Sequence, residues 1–265
     1  SIITLEQSKF DFSEALVIVI SQSGKSTDLV ECERKSRLMG AKTVIITNNE
    51  DSPIINEANY FLNMFAGEEK SVAATKTFTQ TLLVLIKLIF ICLGKKNIND
   101  DIKKLCDIIV NDSSNEWKTN IIDKYINTGF IIGRGVGFAL SNEISLKFKE
   151  LCQEMIEPFS SAEVMHGPKS LIENSFKLFL LGMNDKSGLT VNKDVNELKN
   201  YTNLVYEMSS NENVKSDFFY PSNKILELDS VILMSKFYPW IIRYTINKGL
   251  NPDEPRYLTK VTQTF

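Results

Sequence analysis

Apolar residues in this chain come in short unbroken runs set between polar turns. ALVIVI, residues 15–20, is continuous, apolar and β-branched, which predicts a strand covered by helices on both faces. The polar stretch SQSGKSTD follows, then helical periodicity as far as Gly40, then a second apolar run, AKTVIITN, at 41–48. Strand, loop, helix and strand in that order predict a βαβ unit in a parallel sheet. Residues 71–94 predict one long helix stopped by Gly94. Its most apolar part, TLLVLIKLIFICL at 81–93, holds 13 residues and includes Lys87. A membrane span needs about 20, so a buried helix is the reading. NDDIKKLCDIIV predicts a further helix, and NDSSNEW at 111–117 is a polar break.

The pattern then starts again. GFIIGRG at 129–135 predicts a strand entering a glycine turn, and a helix is expected over 138–156. Residues 176–184, FKLFLLGMN, read as a strand, and 223–230, NKILELDS, as another. A last helix over 231–248 leads into the tail NPDEPRYLTKVTQTF. Two α/β units in tandem summarise this order, with the boundary in the polar break: residues 1–112 and 113–265. The repeat is one of architecture, since the halves share no clear sequence identity.

Composition narrows the chemistry. A net charge of −3 and a pI near 5.5 disfavour a nucleic-acid partner, because phosphate backbones demand a basic face. Cys32, Cys92, Cys106 and Cys152 are scattered without a CxxC pair, and His166 is the only histidine. No zinc set can be assembled from that spacing, and reduced thiols in a cytoplasmic protein are the expectation. The opening SIITLEQSKFDF lacks the apolar core of a signal peptide. No membrane segment, metal or cofactor is expected.

Five stretches carry candidate chemistry. ISQSGKST follows a strand and opens a helix, and helix N-termini offer N–H groups and partial positive charge to a phosphate. An ordinary serine N-cap of a βα turn explains it equally well. Gly24-Lys25-Ser26 imitates the end of a Walker A loop, but the glycine needed five positions earlier is Val19. Gly133-Arg134-Gly135 hints at a dinucleotide fingerprint, but its third glycine is replaced by Phe138. On the helix NEISLKFKELCQEM, Glu143, Lys147 and Glu150 share one face, beside an apolar stripe of Leu140, Ile144, Phe148, Leu151 and Met155. Spacing alone favours a solvated Glu–Lys row, with Glu154 on the same row. His166 lies in the loop SSAEVMHGP, and Lys260 in the tail segment YLTKV, where a lysine held in a dry cleft can meet a carbonyl.

Together the blocks SQSGKSTD, AGEEKSVAATKTFT, GRG, EISLKFKE, SSAEVMHGP and NPDEPRYLTKV resemble the sugar isomerase (SIS) family. The likeness is to the isomerase half of glucosamine-6-phosphate synthase and to its stand-alone deaminase and deglycase relatives. It implies two tandem flavodoxin-like SIS subdomains, each a parallel sheet flanked by helices, the first without its opening strand. It implies that Ser21, Gln22, Ser23 and Ser26 grip the phosphate of a hexose or hexosamine phosphate, with Val72 nearby. Glu150 would be the base moving a proton between C1 and C2, supported by Glu143 and Lys147. His166 would open the sugar ring, reaching the site of the second subunit of a homodimer, and Lys260 would meet the open-chain carbonyl.

These residue types suit the chemistry. Aldose–ketose interconversion needs one carboxylate that takes and returns a proton on a single face. Ring opening suits an imidazole that titrates near neutrality. The resemblance therefore implies an enzyme acting on an amino-sugar phosphate. Glucosamine-6-phosphate deaminase comes first, as the run SSAEVMHGP and the tail KVTQTF suggest. The isomerase part of a glutamine–fructose-6-phosphate aminotransferase and a fructosamine-6-phosphate deglycase are the alternatives. A hexose-phosphate-binding regulator is the reading without catalysis.

Overall fold

The computed structural model describes residue 3 and residues 10–260. Residues 1–2 and 4–9 of the opening stretch read above for a signal peptide, and the tail beyond Lys260, lie outside the described residues. The described residues fall into two compact units divided at Leu88/Ile89, with Thr259 and Lys260 returning to the first.

In the first unit the two apolar runs form β1 (Leu16–Ser21) and β2 (Lys42–Thr47), joined by helix α1 (Thr27–Leu38). A third strand, β3 (Tyr60–Asn63), completes a parallel sheet in the order β1-β2-β3. This strand was not foreseen, because YFLN is short and sits in polar surroundings. β2 is covered on both faces: Thr43–Thr47 are all buried. Ile45 packs with Val19 and Ile54 on one face, and Val44 and Ile46 with Met64 on the other. β1 is not covered in the same way. Val19 is buried, but Leu16, Ile18 and Ile20 are 58%, 40% and 40% exposed. Helix α2 (Lys76–Cys92) begins five residues later than expected, because Ser71–Thr75 form a turn. Gly94 at φ 72° stops it as predicted. The helix is apolar over 82–92 apart from Lys87, but that part is not buried all round. Ile86 and Phe90 are buried, while Ile89 and Ile91 are more than half exposed.

The second unit holds helix α3 (Ile98–Asn111), then β4 (Thr128–Gly133), α4 (Val136–Cys152), β5 (Met155–Ser160), the short α5 (Ser161–Val164) and β6 (Lys177–Gly182). They are followed by α6 (Gly188–Asp194), β7 (Val205–Ser209), β8 (Phe218–Phe219) and α7 (Leu226–Asn247). All five strands are parallel, in the order β5-β4-β6-β7-β8. That is the flavodoxin-like strand order. Parallel sheets of this kind carry helices on both faces, and the α/β class is as expected.

Several boundaries differ from the sequence reading. The helix expected over 138–156 ends at Cys152, because Gln153 adopts a left-handed conformation at φ 55°. Met155 therefore opens β5 and is 65% exposed rather than part of the helical stripe. Residues 223–230 do not form a strand: α7 starts at Leu226 and runs for 22 residues. Asp229 in its first turn accepts the backbone N–H of Asn223 and the hydroxyl of Ser222, which fixes the helix entry.

Helix α7 covers α4 with an aromatic layer. Trp240 stacks on Tyr244 at 5.3 Å and meets Phe148, Phe218 and Phe237 edge-on or tilted at 5.0–6.0 Å. Each such ring, fully buried, contributes roughly 2–3 kcal/mol. The polar break at 111–117 is pinned to the same helix, where Lys236 donates to Asp112 and to the Asn115 carbonyl.

Candidate active site

In the first unit, the turn after β1 is shaped by one glycine. Gly24 sits at φ 63°, and its carbonyl accepts the buried hydroxyl of Ser52 at 2.7 Å. A Cβ at this position would lie 2.0 Å from Ser52 Oγ, so only glycine fits. The Gly24 N–H donates to Ser21 Oγ, and the Lys25 N–H to Ser23 Oγ. The strand-end residues hold the turn from below. Asn48 N–H and the Thr47 hydroxyl both donate to the Gln22 carbonyl, and the Asn49 amide donates to the Ser23 carbonyl. Ser21 is buried, while Gln22, Ser23 and Ser26 are half-buried and Lys25 is exposed.

Ser26 occupies the N-cap position of α1 but makes no side-chain cap bond to it. The plain capping explanation of this serine therefore does not describe the turn. The other helix start in this unit differs. The buried Glu69 carboxylate accepts the backbone N–H of Thr75 at 2.9 Å and of Thr77 at 3.2 Å, plus the Thr77 hydroxyl. The beginning of α2 thus already holds an anion belonging to the chain. Burial works to raise the Glu69 carboxyl. The Thr77 hydroxyl, the two N–H groups and the Lys260 charge outweigh it, leaving the group below its ordinary value.

Val72 lies half-buried in the turn before α2. Lys260 returns to this same turn. Its ammonium donates to the Ser71 carbonyl at 2.6 Å and lies 3.9 Å from Glu69 Oε2. The tail lysine is thus docked, with 30% of its side chain exposed.

In the second unit the charged row on α4 is not the solvated face that spacing favours. Glu143 and Lys147 are 9% and 2% exposed, and Glu150 22%. Lys147 Nζ lies 2.6 Å from Glu150 Oε2 and 3.4 Å from Glu143 Oε1. The Tyr238 hydroxyl of α7 donates to the same Glu143 oxygen at 2.8 Å. Burial pushes the Glu143 carboxyl up, against the Lys147 charge and the Tyr238 bond, and the Glu150 charge adds to the rise. The result is a graded row: an inner carboxylate, a buried ammonium, and an outer carboxylate that faces solvent and is steadied by that ammonium.

Glu154 does not belong to this row. Once the helix has ended, its carboxylate turns inward and binds Lys177 at 2.9 Å, Lys248 at 2.7 Å and the Tyr244 hydroxyl at 2.7 Å. Lys177 is wholly buried, and burial pushes its ammonium down despite the partner.

His166 is exposed, in the middle of the turn that follows α5. Its backbone N–H donates to the Glu163 carbonyl at 3.0 Å. It is not packed in a core. At the glycine turn after β4, Arg134 pairs with Asp194 at 2.9 Å, and Asp194 also accepts Ser161 at 2.6 Å. That crevice, where an open α/β sheet would take a ligand, is occupied by the chain's own ion pair. All four cysteines are free. No helix among the described residues is long and apolar enough to cross a membrane.

The structure thus brings Lys260 to the Val72 turn, and Glu143, Lys147 and Glu150 into one network. Tyr238 and Glu69 were missed by the sequence reading. Tyr238 is one aromatic among many on an apolar helix, and nothing in its spacing marks it. Glu69 stands in a block already noted, six residues before a first-turn threonine N–H, and that offset was the available signal.

The SIS domain family matches residues 12–91. The chain is 34% identical over 253 residues to the glutamine–fructose-6-phosphate aminotransferase (isomerizing) of Sulfurisphaera tokodaii, covering 92% of this chain and 42% of that protein. Among solved structures it is similar to a candidate phosphosugar isomerase from Silicibacter pomeroyi DSS-3. That match has 27% identity and a TM-score of 0.83, over 96% of this chain and 78% of the other. It also shares its fold with the glucosamine-6-phosphate deaminase of Thermotoga maritima, at 23% identity and a TM-score of 0.72, over 94% and 75% of the two chains. The chain spans less than half the length of the curated relatives it matches. With a matched domain, a parallel flavodoxin-like sheet and likeness along nine-tenths of its length, the chain belongs to the sugar isomerase (SIS) family.

Proposed function

We propose that this chain is a phosphosugar isomerase that moves a proton between C1 and C2 of an amino-sugar phosphate, with release of the amine as ammonia. The observation that carries the reading is the buried row on α4. A carboxylate that must take and return one proton needs to be fixed and reachable. Glu150 meets these needs, because Lys147 holds it at 2.6 Å while it keeps 22% exposure. Glu143 and Tyr238 hold Lys147 in turn.

The first unit supplies the grip on the substrate. The turn Ser21–Ser26 and Val72 take the phosphate, and that remote binding energy serves the reaction at C1 and C2. Lys260 meets the open-chain carbonyl. His166 opens the ring, and a second copy of the chain supplies it. The topology supports that assignment. Glu150 lies at the end of α4 that precedes β5, and His166 lies past the other end of β5. The six residues of that strand separate the two by roughly 17 Å at ~3.3 Å per residue. Adjacent carbons of one sugar cannot touch both.

The test is incubation with glucosamine 6-phosphate in deuterated water, followed by NMR at C1 and C2 and an ammonia assay. Deuterium uptake with ammonia release is the expected result. Binding without uptake refutes the isomerase reading and favours a regulator. A second reading is favoured by the likeness to the S. tokodaii protein: the isomerase part of a glutamine–fructose-6-phosphate aminotransferase. It predicts deuterium uptake with fructose 6-phosphate but no ammonia from the amino sugar.

A further inference from the structure

We infer that Glu69 is a positioning residue for Lys260: its carboxylate, seated in the first turn of α2, fixes the lysine's charged end at the Ser71–Val72 turn for reaction with a carbonyl. The inference rests on the reading of Lys260 given under Proposed function.

Two neighbouring glutamates show that burial here is specific. Glu68 has 78% of its side chain exposed and pairs loosely with Lys70, whereas Glu69 has 3% exposed. A threonine or aspartate at the helix start would satisfy one or two N–H groups. Glu69 reaches in from six residues before Thr75 and carries a full charge. Its Oε1 takes the Thr75 and Thr77 N–H groups, leaving Oε2 to the Thr77 hydroxyl and to Lys260. At 3.9 Å the Lys260 contact is one of charge rather than a hydrogen bond. The directional bond goes to the Ser71 carbonyl instead. One group fixes the nitrogen's place and the other its charge.

The nitrogen is cationic at both ends of the step and attacks in between as the neutral amine, after giving up one proton. The ammonium and a ketone or aldehyde give an iminium and water. The C–N bond forms and the C–O bond breaks. Two of the three ammonium hydrogens leave with the carbonyl oxygen, and the third stays on nitrogen. The nitrogen site is cationic before and after, so a fixed carboxylate beside it suits both states.

Two measurements on the full chain separate this role from simple helix capping. The first is acetylation of Lys260 by acetic anhydride at neutral pH, read by mass spectrometry of its peptide. In Glu69→Gln the facing charge no longer holds the lysine's end at the turn, the nitrogen meets the reagent more often, and labelling speeds up by about threefold or more. Thr77→Val loosens the cap but keeps the charge, and its labelling stays within about twofold of the parent. The second is borohydride trapping of Lys260 with fructose 6-phosphate, which slows about tenfold in Glu69→Gln. Unchanged acetylation in a Glu69→Gln chain of native circular dichroism overturns the inference. Equal acceleration in Thr77→Val overturns it too, by assigning the effect to local opening. No adduct on the parent chain overturns the carbonyl role on which the inference rests. That failure is distinguishable, because acetylation needs no sugar.

Discussion

Replacing Gly24 with alanine tests whether the serine turn is held by the Gly24–Ser52 contact. Two costs follow from the geometry. A side chain at φ 63° is forced into the left-handed region, which costs about 1–2 kcal/mol. The new Cβ would also meet Ser52 Oγ at 2.0 Å and Ser52 Cβ at 2.6 Å. Ser52 must move, and the buried bond from its hydroxyl to the Gly24 carbonyl is lost, at about 1–3 kcal/mol. The sum is about 2–5 kcal/mol. Gly67→Ala, in the same unit, is the internal standard: it sits at φ 64° with nothing within 4 Å of an added Cβ, so only the backbone cost of about 1–2 kcal/mol applies. Both tryptophans, Trp117 and Trp240, lie in the second unit, so indole emission does not follow this change. Amide exchange of β2, and calorimetry with a hexose phosphate, do. Exchange at Ile45 and Ile46 should speed up by about thirtyfold or more, with weakened phosphate binding. Adding Ser52→Gly should recover the steric part alone. Equal β2 protection and equal affinity in Gly24→Ala and Gly67→Ala would refute the reasoning.

Glu150→Gln should abolish C1–C2 deuterium exchange while leaving hexose-phosphate affinity within about threefold; persistent exchange removes Glu150 from the mechanism. His166→Asn should leave the melting temperature unchanged, because the side chain is exposed, yet slow turnover. Mixing it with Glu150→Gln chains should restore roughly a quarter of the parent sites through hybrid dimers, and no recovery would place His166 in its own chain's site. Lys177→Met leaves the buried Glu154 with one cation fewer and should cost about 3–5 kcal/mol, visible in Trp240 emission on denaturant titration. Acid should weaken the first unit through Glu69. Its carboxyl is held below the ordinary 4.5, so its contribution is complete above that pH and lost as pH falls through the folded value. Protection of β2 should decline below pH 4.5, and Glu69→Gln should flatten that decline.

Much of the fold was legible because apolar runs and glycine stops act locally. ALVIVI, AKTVIITN and FKLFLLGMN became strands within a residue or two of their predicted ends. The losses arose where tertiary contacts overrode composition. Residues 223–230 alternate apolar Ile225, Leu226 and Leu228 with polar residues, yet Asp229 fixes the start of a 22-residue helix there. Gln153 at φ 55° ends α4 three residues before its apolar pattern stops. That end sends Glu154 to the core and Met155 to the surface. At the candidate site, spacing put Glu143, Lys147 and Glu150 on one face, but burial depends on α7, whose Tyr238 lies 95 residues beyond Glu143. No periodicity within α4 reports a tyrosine arriving from there. Lys260 in an apolar tail hinted at docking, while the carboxylate that receives it was hidden in an unremarkable pair of glutamates.

β1 is the rim of its sheet among the described strands, and LVIVIS contains no charge, proline or bulge along that rim. Most soluble proteins blunt such a border. Six uncharged residues rich in β-branching have the composition of a fibril-forming segment. Among the described strands it is therefore the border open to pairing with a second chain, which lowers the concentration at which copies stay apart. Ile18→Lys, placed where the side chain already faces outward, would raise that ceiling at little expense to the core.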